Sequence, residues 1–270
     1  MSEIAYPERI PSLAAKLRSL TPARVAQGRT GVSQLTREQL AFQRCHAQAR
    51  DAVHARMQTA LVAAEIEKVT GREVLRLHSA AADRACFLQR PDLGRTLDES
   101  SRARLSELQL GAFDLALVVA DGLSALAVER HAAPLLRELL PRLEGWLVAP
   151  VCVVEQGRVA VGDEIGLLLG AELAVVMIGE RPGLSSPDSL GAYITWQPRP
   201  GRTDAERNCI SNIRAEGLRY DVAADQLASL LAKARSRRLT GVPLKLESAE
   251  PVPKSLPKVS AQSPCKGELK

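Results

Sequence analysis

Apolar positions along this chain follow two different rhythms. Between Thr36 and Val69 they recur every three or four residues, at Phe42, Cys45, Ala49, Val53, Met57 and Ala60 among others. That spacing lays one alanine-rich stripe along a helix, and Thr36-Arg-Glu-Gln39 is a capping box that would start it, so a single amphipathic helix is predicted over 36–69. From Phe113 onward the apolar residues come instead in short, largely unbroken runs, at 114–120, 146–154, 173–178 and 190–196. Runs of this length bounded by Gly, Pro and Asp read as strands buried on both faces.

Helical stretches separate these runs. One follows Asp121-Gly-Leu-Ser124 and must kink or restart near Pro134; a short one over 165–169 is opened by Asp163. Another is begun by Thr203-Asp-Ala-Glu206 and carried through Cys209 to Ile213. The last starts at Asp221 with the stripe Val222, Leu227, Leu230, Leu231 and Ala234. Strands alternating with helices predict an α/β fold: a Rossmann-like, mainly parallel sheet flanked by helices and preceded by an N-terminal helical region.

The remaining segments set the expected domain organisation. Residues 1–20 hold Pro7 and Pro11 and read as a flexible arm, and 21–110 as the helical N-terminal region. Within the latter, 75–88 is mixed helix and extended chain, and Asp92 is the expected cap of a helix over 97–108. Residues 111–241 form the α/β domain. From 242 to 270 the chain is rich in Pro, Lys and Ser and too poor in apolar surface to fold, so a disordered tail is expected.

Charge and composition narrow the chemistry. The net charge of +5 is spread along the chain and aromatic residues make up only 3%, so stacking platforms for bases are scarce and no nucleic-acid partner is expected. No apolar run approaches the length of a membrane span, and none is expected. Cys45, Cys86, Cys152, Cys209 and Cys265 contain no Cys-x-x-Cys pair, which suits reduced thiols in a cytoplasmic protein. His46, His54, His78 and His131 stand at no metal-ligand spacing, so no metal site is expected.

The expected site follows from the sheet. Loops at 121–124, 155–159, 179–184 and 197–212 should gather at the carboxyl edge of the strands, where open α/β sheets bind ligands. The central one, Gly179-Glu-Arg-Pro-Gly-Leu184, delivers Glu180 and Arg181 there. A rim this broad suits a large ligand. No Gly-x-Gly-x-x-Gly, Walker-type phosphate loop or Gly-x-Ser-x-Gly elbow is present, and no Ser-His or Cys-His set stands out. The pattern fits a binding module better than a self-contained catalyst.

Several runs carry a family resemblance: Arg90-Pro-Asp-Leu-Gly-Arg95, Asp121-Gly-Leu-Ser124, Gly157-Arg-Val159, Gly170-Ala171, Gly179-Glu-Arg-Pro-Gly-Leu184 and Cys209-Ile-Ser-Asn-Ile213. In this order and with similar separations, they resemble the small (light) subunit of adenosylcobalamin-dependent ethanolamine ammonia-lyase over roughly 20–241. The resemblance implies a non-catalytic subunit of a carbon–nitrogen lyase that converts ethanolamine to acetaldehyde and ammonia, hetero-oligomeric with a large subunit that holds the substrate and the radical chemistry. It implies adenosylcobalamin between the two subunits, with Val159, Glu180 and Cys209 as cofactor-binding residues and no catalytic residue in this chain. A cytoplasmic location follows, with residence in a bacterial microcompartment left open. The chain lacks the Asp-x-His-x-x-Gly pattern of cobalamin proteins that put a histidine on cobalt, so the cofactor's own base is expected to stay there. The helix from Thr36 and the arginine loops at 24–29 and 90–95 are the expected contact surface. Two other readings stay open: a stand-alone α/β enzyme on a small phosphorylated or acyl substrate with Glu180 as general base, and a scaffold without ligand.

Overall fold

The computed structural model describes residues 13–21, 23–108 and 111–244. The 1–12 part of the expected arm and the 245–270 part of the expected tail lie outside them. The chain starts with α1 (Leu13–Ser19), the two-residue strands β1 (Arg29–Thr30) and β2 (Ser33–Gln34), then α2 (Thr36–His54) and α3 (Thr59–Thr70). After β3 (Val74–His78), α4 (Arg84–Gln89) and α5 (Glu99–Glu107) come β4 (Phe113–Ala120), α6 (Ala125–Leu139) and β5 (Val151–Glu155). The rest is α7 (Val161–Leu168), β6 (Ala171–Gly179), β7 (Leu190–Trp196), β8 (Arg207–Ile213) and α8 (Tyr220–Arg237).

The six main strands lie in the order β3-β5-β4-β6-β7-β8. β3, β5, β4 and β6 run parallel, and β7 and β8 extend the sheet antiparallel. The fold is the expected α/β arrangement, its sheet mainly parallel with two antiparallel strands at one edge. Alternate residues of each central strand face opposite layers. Leu115, Leu117 and Val119 of β4 join Val175 and Met177 of β6 against α3, α6 and α8, while Ala116, Val118 and Ala120 join Val176 and Ile178 against α5 and α7. Burial on both faces is why these runs carry no polar alternation.

The structure departs from the expected elements at four places. The helix expected over 36–69 is two: α2 ends at His54 and α3 begins at Thr59. No Gly or Pro causes the break; the backbone N–H of Gln58 is instead drawn to Glu129 Oε1 of α6 at 2.9 Å, and Met57 is buried in the core. The helix expected from Thr203 to Ile213 is a single 3₁₀ turn followed by strand β8. Its capping box does form, with Thr203 and Glu206 satisfying each other's N–H groups, but β7 captures the next residues as its partner. Asp98, not Asp92, caps α5, accepting from Ser101 N at 2.7 Å. Pro134 leaves α6 continuous from Ala125 to Leu139. No helix among the described residues is long and apolar enough to cross a membrane.

Candidate functional site

β4 leads into α6 on one face of the sheet and β5 into α7 on the other, so the two connecting loops diverge at the point where open α/β sheets form their crevice. In this chain protein charge fills the crevice. The N–H of Gly157 donates to Asp121 Oδ1 at 3.0 Å, tying the end of β5 to the end of β4. Buried Arg84 stands 3.5 Å from Asp121 Oδ2, donates to the Gly122 carbonyl at 2.8 Å and reaches the Val53 carbonyl of α2 at 2.7 Å. Burial pushes the Asp121 carboxyl up to about 6, against the pull of Arg84.

Open space lies to either side of this plug. On the β6 side, a pocket of about 360 Å³ is lined by Leu123, Arg158, Val159, Glu180, Arg181 and Tyr193, among others. Glu180 sits at its edge because β6 ends at Gly179, whose close approach to the β4–α6 turn leaves no room for a side chain. The Glu180 carboxylate is held from two sides: Ser189 Oγ donates to Oε2, and Asn212 N donates to the same oxygen at 3.4 Å. Gly191 lets the Glu180 carboxylate lie close against β7, since a Cβ there would stand 2.8 Å from Glu180 Oε1 and 3.2 Å from the Tyr193 ring. Tyr193 is half-buried and lies directly opposite Cys209 of the neighbouring strand. Burial raises the pKa of Tyr193, with the adjoining Cys209 and Glu180 acting in the same direction, while Cys209 itself is exposed.

On the other side of Arg158 and Val159 lies a pocket of about 550 Å³, with Arg95, Asp163, Arg202 and Asp204 in its walls. The loop 197–212 was expected at the carboxyl edge, but β7 runs antiparallel and releases its 197–206 part at the opposite edge, where Trp196 faces Leu173, and only Asn212 at the end of β8 returns to Glu180. The 197–206 part reaches Val159 by folding back beside α7; Pro198 lies close to Gly166 and Asp163 forms a bidentate ion pair with Arg207 at 2.7 and 2.6 Å. The loops at 121–124, 155–159 and 179–184 do gather at the carboxyl edge.

The three residues singled out from sequence therefore surround one feature. Val159 lines both pockets, Glu180 flanks Tyr193, and Cys209 lies opposite it. The chemistry on offer is a fixed carboxylate acceptor, an aromatic and aliphatic surface, and a set of arginines. No group of three or more His, Cys, Asp or Glu among the described residues could hold a metal ion.

Comparison with known proteins settles the family. The model of the family described as ethanolamine ammonia-lyase light chain matches residues 12–245. The chain is 60% identical over 237 residues to the ethanolamine ammonia-lyase small subunit of Pseudomonas aeruginosa (strain LESB58), covering 86% of each chain. It is 58% identical over 239 residues to that of Ralstonia nicotianae, covering 87% of this chain and 88% of the relative. The protein of that name in Pseudomonas syringae pv. tomato is 57% identical over 238 residues, covering 86% of this chain and 83% of the relative. The chain belongs to the ethanolamine ammonia-lyase light-chain family.

Of its 19 residues α2 buries only Ala52, and it exposes Leu40 and Phe42. Between 13 and 54 the chain carries seven Lys and Arg against two acidic residues. The sequence pattern did not single out Ser189, Gly191 and Tyr193. Gly191 and Tyr193 are two apart on one strand and so share a face, which was the available signal.

Proposed function

We propose that this chain joins a large catalytic subunit to form an adenosylcobalamin-dependent ethanolamine ammonia-lyase, and that its part is to hold the cofactor at the interface between the two. The observation that carries the reading is Glu180. Its carboxylate is fixed by Ser189 and Asn212 over Gly191 yet faces a pocket shared with Val159. A corrin ring is edged by carboxamides, whose N–H groups need such an acceptor. Val159 and the Tyr193 ring offer apolar surface to the macrocycle, and Cys209 extends it from the neighbouring strand. The N–H groups of Val159 and Ala160 donate to no acceptor among the described residues and remain available to the ligand. Both pockets are open, which fits a ligand whose second face is covered by a partner.

When bound, the cofactor supplies an adenosyl radical by homolysis of its cobalt–carbon bond. This chain's residues then act by binding and orientation alone, and the groups that handle ethanolamine belong to the large subunit. The exposed face of α2 and the arginine loops at 24–29 and 90–95 form part of the contact with it. The assembly resides in the cytoplasm, and a protein-shelled microcompartment is compatible with the same chain.

The test is ethanolamine-dependent acetaldehyde production, with and without adenosylcobalamin, by this chain, the large subunit and their mixture. The expected result is activity only in the mixture with cofactor, weakened by Glu180→Ala. A mixture that is inactive and retains no cobalamin would sink the reading.

A further inference from the structure

The arginines around Val159 are not balanced by acids. Arg95 and Arg158 both line the larger pocket. The Arg95 guanidinium is exposed and makes no hydrogen bond or ion pair among the described residues. Arg158 lies over the Phe87 ring, with its Cζ 4.2 Å from the centroid, and gives one bond at 3.3 Å to the Phe87 carbonyl, while its buried Nε has no partner. Two of the three acids of the same pocket are already engaged, and the third, Asp204, is 95% exposed and makes its one ion-pair approach to Arg207. Asp163 is paired with Arg207, and Glu164 accepts from Arg102 at 2.6 Å and from Leu97 N at 2.8 Å; Asp204 points to Arg207 Nε at 3.6 Å. Arg202 is matched by Glu206. What remains is two guanidiniums without an acid partner and the N–H groups of Val159 and Ala160, all in the larger pocket, with Arg158 and Val159 also lining the Glu180 pocket.

Burial and the like charges of Arg84, Arg95 and Arg181 all disfavour the Arg158 cation, with Asp121 the one acid acting the other way. An anion joining such a cluster would offset that repulsion. A planar guanidinium matches two phosphate oxygens at once, and backbone N–H groups add to that match.

We infer that Arg95 and Arg158, with the N–H groups of Val159 and Ala160, form a phosphodiester seat that receives the single phosphodiester of the cobalamin nucleotide arm while Glu180 receives the corrin amides. This rests on the cofactor reading above. The seat sets the register of the ligand: one anchored end at the arginines, one at the carboxylate, and Val159 between them.

The test uses the assembled two-subunit protein and three probes: cyanocobalamin, cobinamide, which keeps the corrin and amides but lacks phosphodiester, ribose and base, and cobinamide phosphate, which regains a phosphate alone. Binding is read from the corrin absorbance on titration. Arg95→Gln changes an exposed side chain and leaves the fold intact; Arg158→Gln is the second variant. The expected result is a loss of about tenfold or more in affinity for cyanocobalamin and cobinamide phosphate, with less than about twofold for cobinamide. Glu180→Gln should weaken all three. If Glu180→Gln behaves so while both arginine variants bind every probe like the parent, or lose affinity for all three alike, the phosphate seat is wrong and the cofactor reading stands. If the parent complex binds none of the probes, both fall.

Discussion

The hydroxyl of Ser189 donates to the Glu180 carboxylate nine residues earlier in the chain, and in return the Glu180 N–H donates to the Ser189 carbonyl at 2.9 Å. The loop between them is thereby closed at its base, and the carboxylate is fixed before any ligand arrives. Preorganisation of this kind lowers the ordering penalty of binding. Ser189→Ala should keep the fold, because the main-chain bond survives, and should weaken corrin binding by about three- to tenfold through a freer Glu180. Titration of the two-subunit complex with cobinamide, compared with Glu180→Ala, checks this. A Ser189→Ala variant that loses as much as Glu180→Ala would mean that the serine itself contacts the ligand.

Glu180 owes its place to Gly179. A Cβ on Gly179 would stand 2.1 Å from the Ser124 carbonyl oxygen and 2.6 Å from that of Asp121, both backbone atoms that cannot swing aside. Facing it, Gly122 has φ +56° and would bring a Cβ to 2.3 Å from the Gly179 carbonyl oxygen. The end of β6 and the β4–α6 turn therefore touch backbone to backbone. Gly179→Ala should destabilise the chain by at least about 3 kcal/mol, at or beyond the upper end of overpacking penalties. Urea unfolding, or recovery of soluble chain on expression, reads this out, and a variant with the parent's midpoint would show that the close approach is not kept in solution.

Asp121 should give the chain an unusual pH dependence. Its carboxyl rises from an ordinary 3.8 to about 6 on folding because burial outweighs Arg84. Between those values the native chain keeps a proton that the unfolded chain has released. The contribution is fully present below about pH 4 and is lost as pH rises through about 6, on the order of 3 kcal/mol, which is opposite in sign to a surface salt-bridged aspartate. Asp121→Asn cannot lose a proton, and its side-chain oxygen can still accept from Gly157. The stability of the variant relative to the parent should therefore improve between about pH 4.5 and pH 7. Should that relative stability instead fall with pH, the ionised Asp121–Arg84 pair would be a net stabilising element and the sign of the effect would be reversed.

The central strands were legible because both their faces are buried, so sequence and environment agree at every position. β8 was not. Its buried positions are Arg207, Ile210 and Ile213, spaced by three as on a helix, because Arg207 is buried on the α7 face, Ile210 and Ile213 on the α8 face, and a bulge between the last two shifts the register by one. The capping box before it is real, yet a cap specifies where a turn starts and not how far it runs. The split between α2 and α3 depends on Glu129, 71 residues away from Gln58, and nothing local announces it. At the site, Val159, Glu180 and Cys209 were named from family motifs. Their convergence on Tyr193 comes from strand pairing, in which Tyr193 lies opposite Cys209 on one side and Val176 on the other.

Arg207 shows how much of the larger pocket's wall depends on one buried pair. Its side chain and that of Asp163 are almost fully enclosed, at 1% and 2% exposure, and are joined by two parallel bonds, with Thr195 Oγ1 accepting a third at 2.7 Å. The pair joins α7 to β8 and so holds the returning loop against Val159. Removing one partner leaves an uncompensated buried charge, which typically costs about 3–5 kcal/mol, whereas replacing both by apolar groups of similar volume is often close to neutral. Asp163→Leu should therefore unfold in urea far earlier than the parent, and Asp163→Leu with Arg207→Met should recover most of that loss. The double variant should still bind cobinamide at the Glu180 pocket, since neither residue lines it. If the double variant is as unstable as the single one, the pair is fixed by its bonds to Thr195 and the Arg202 carbonyl more than by charge pairing, and the loop's position rests on that wider network.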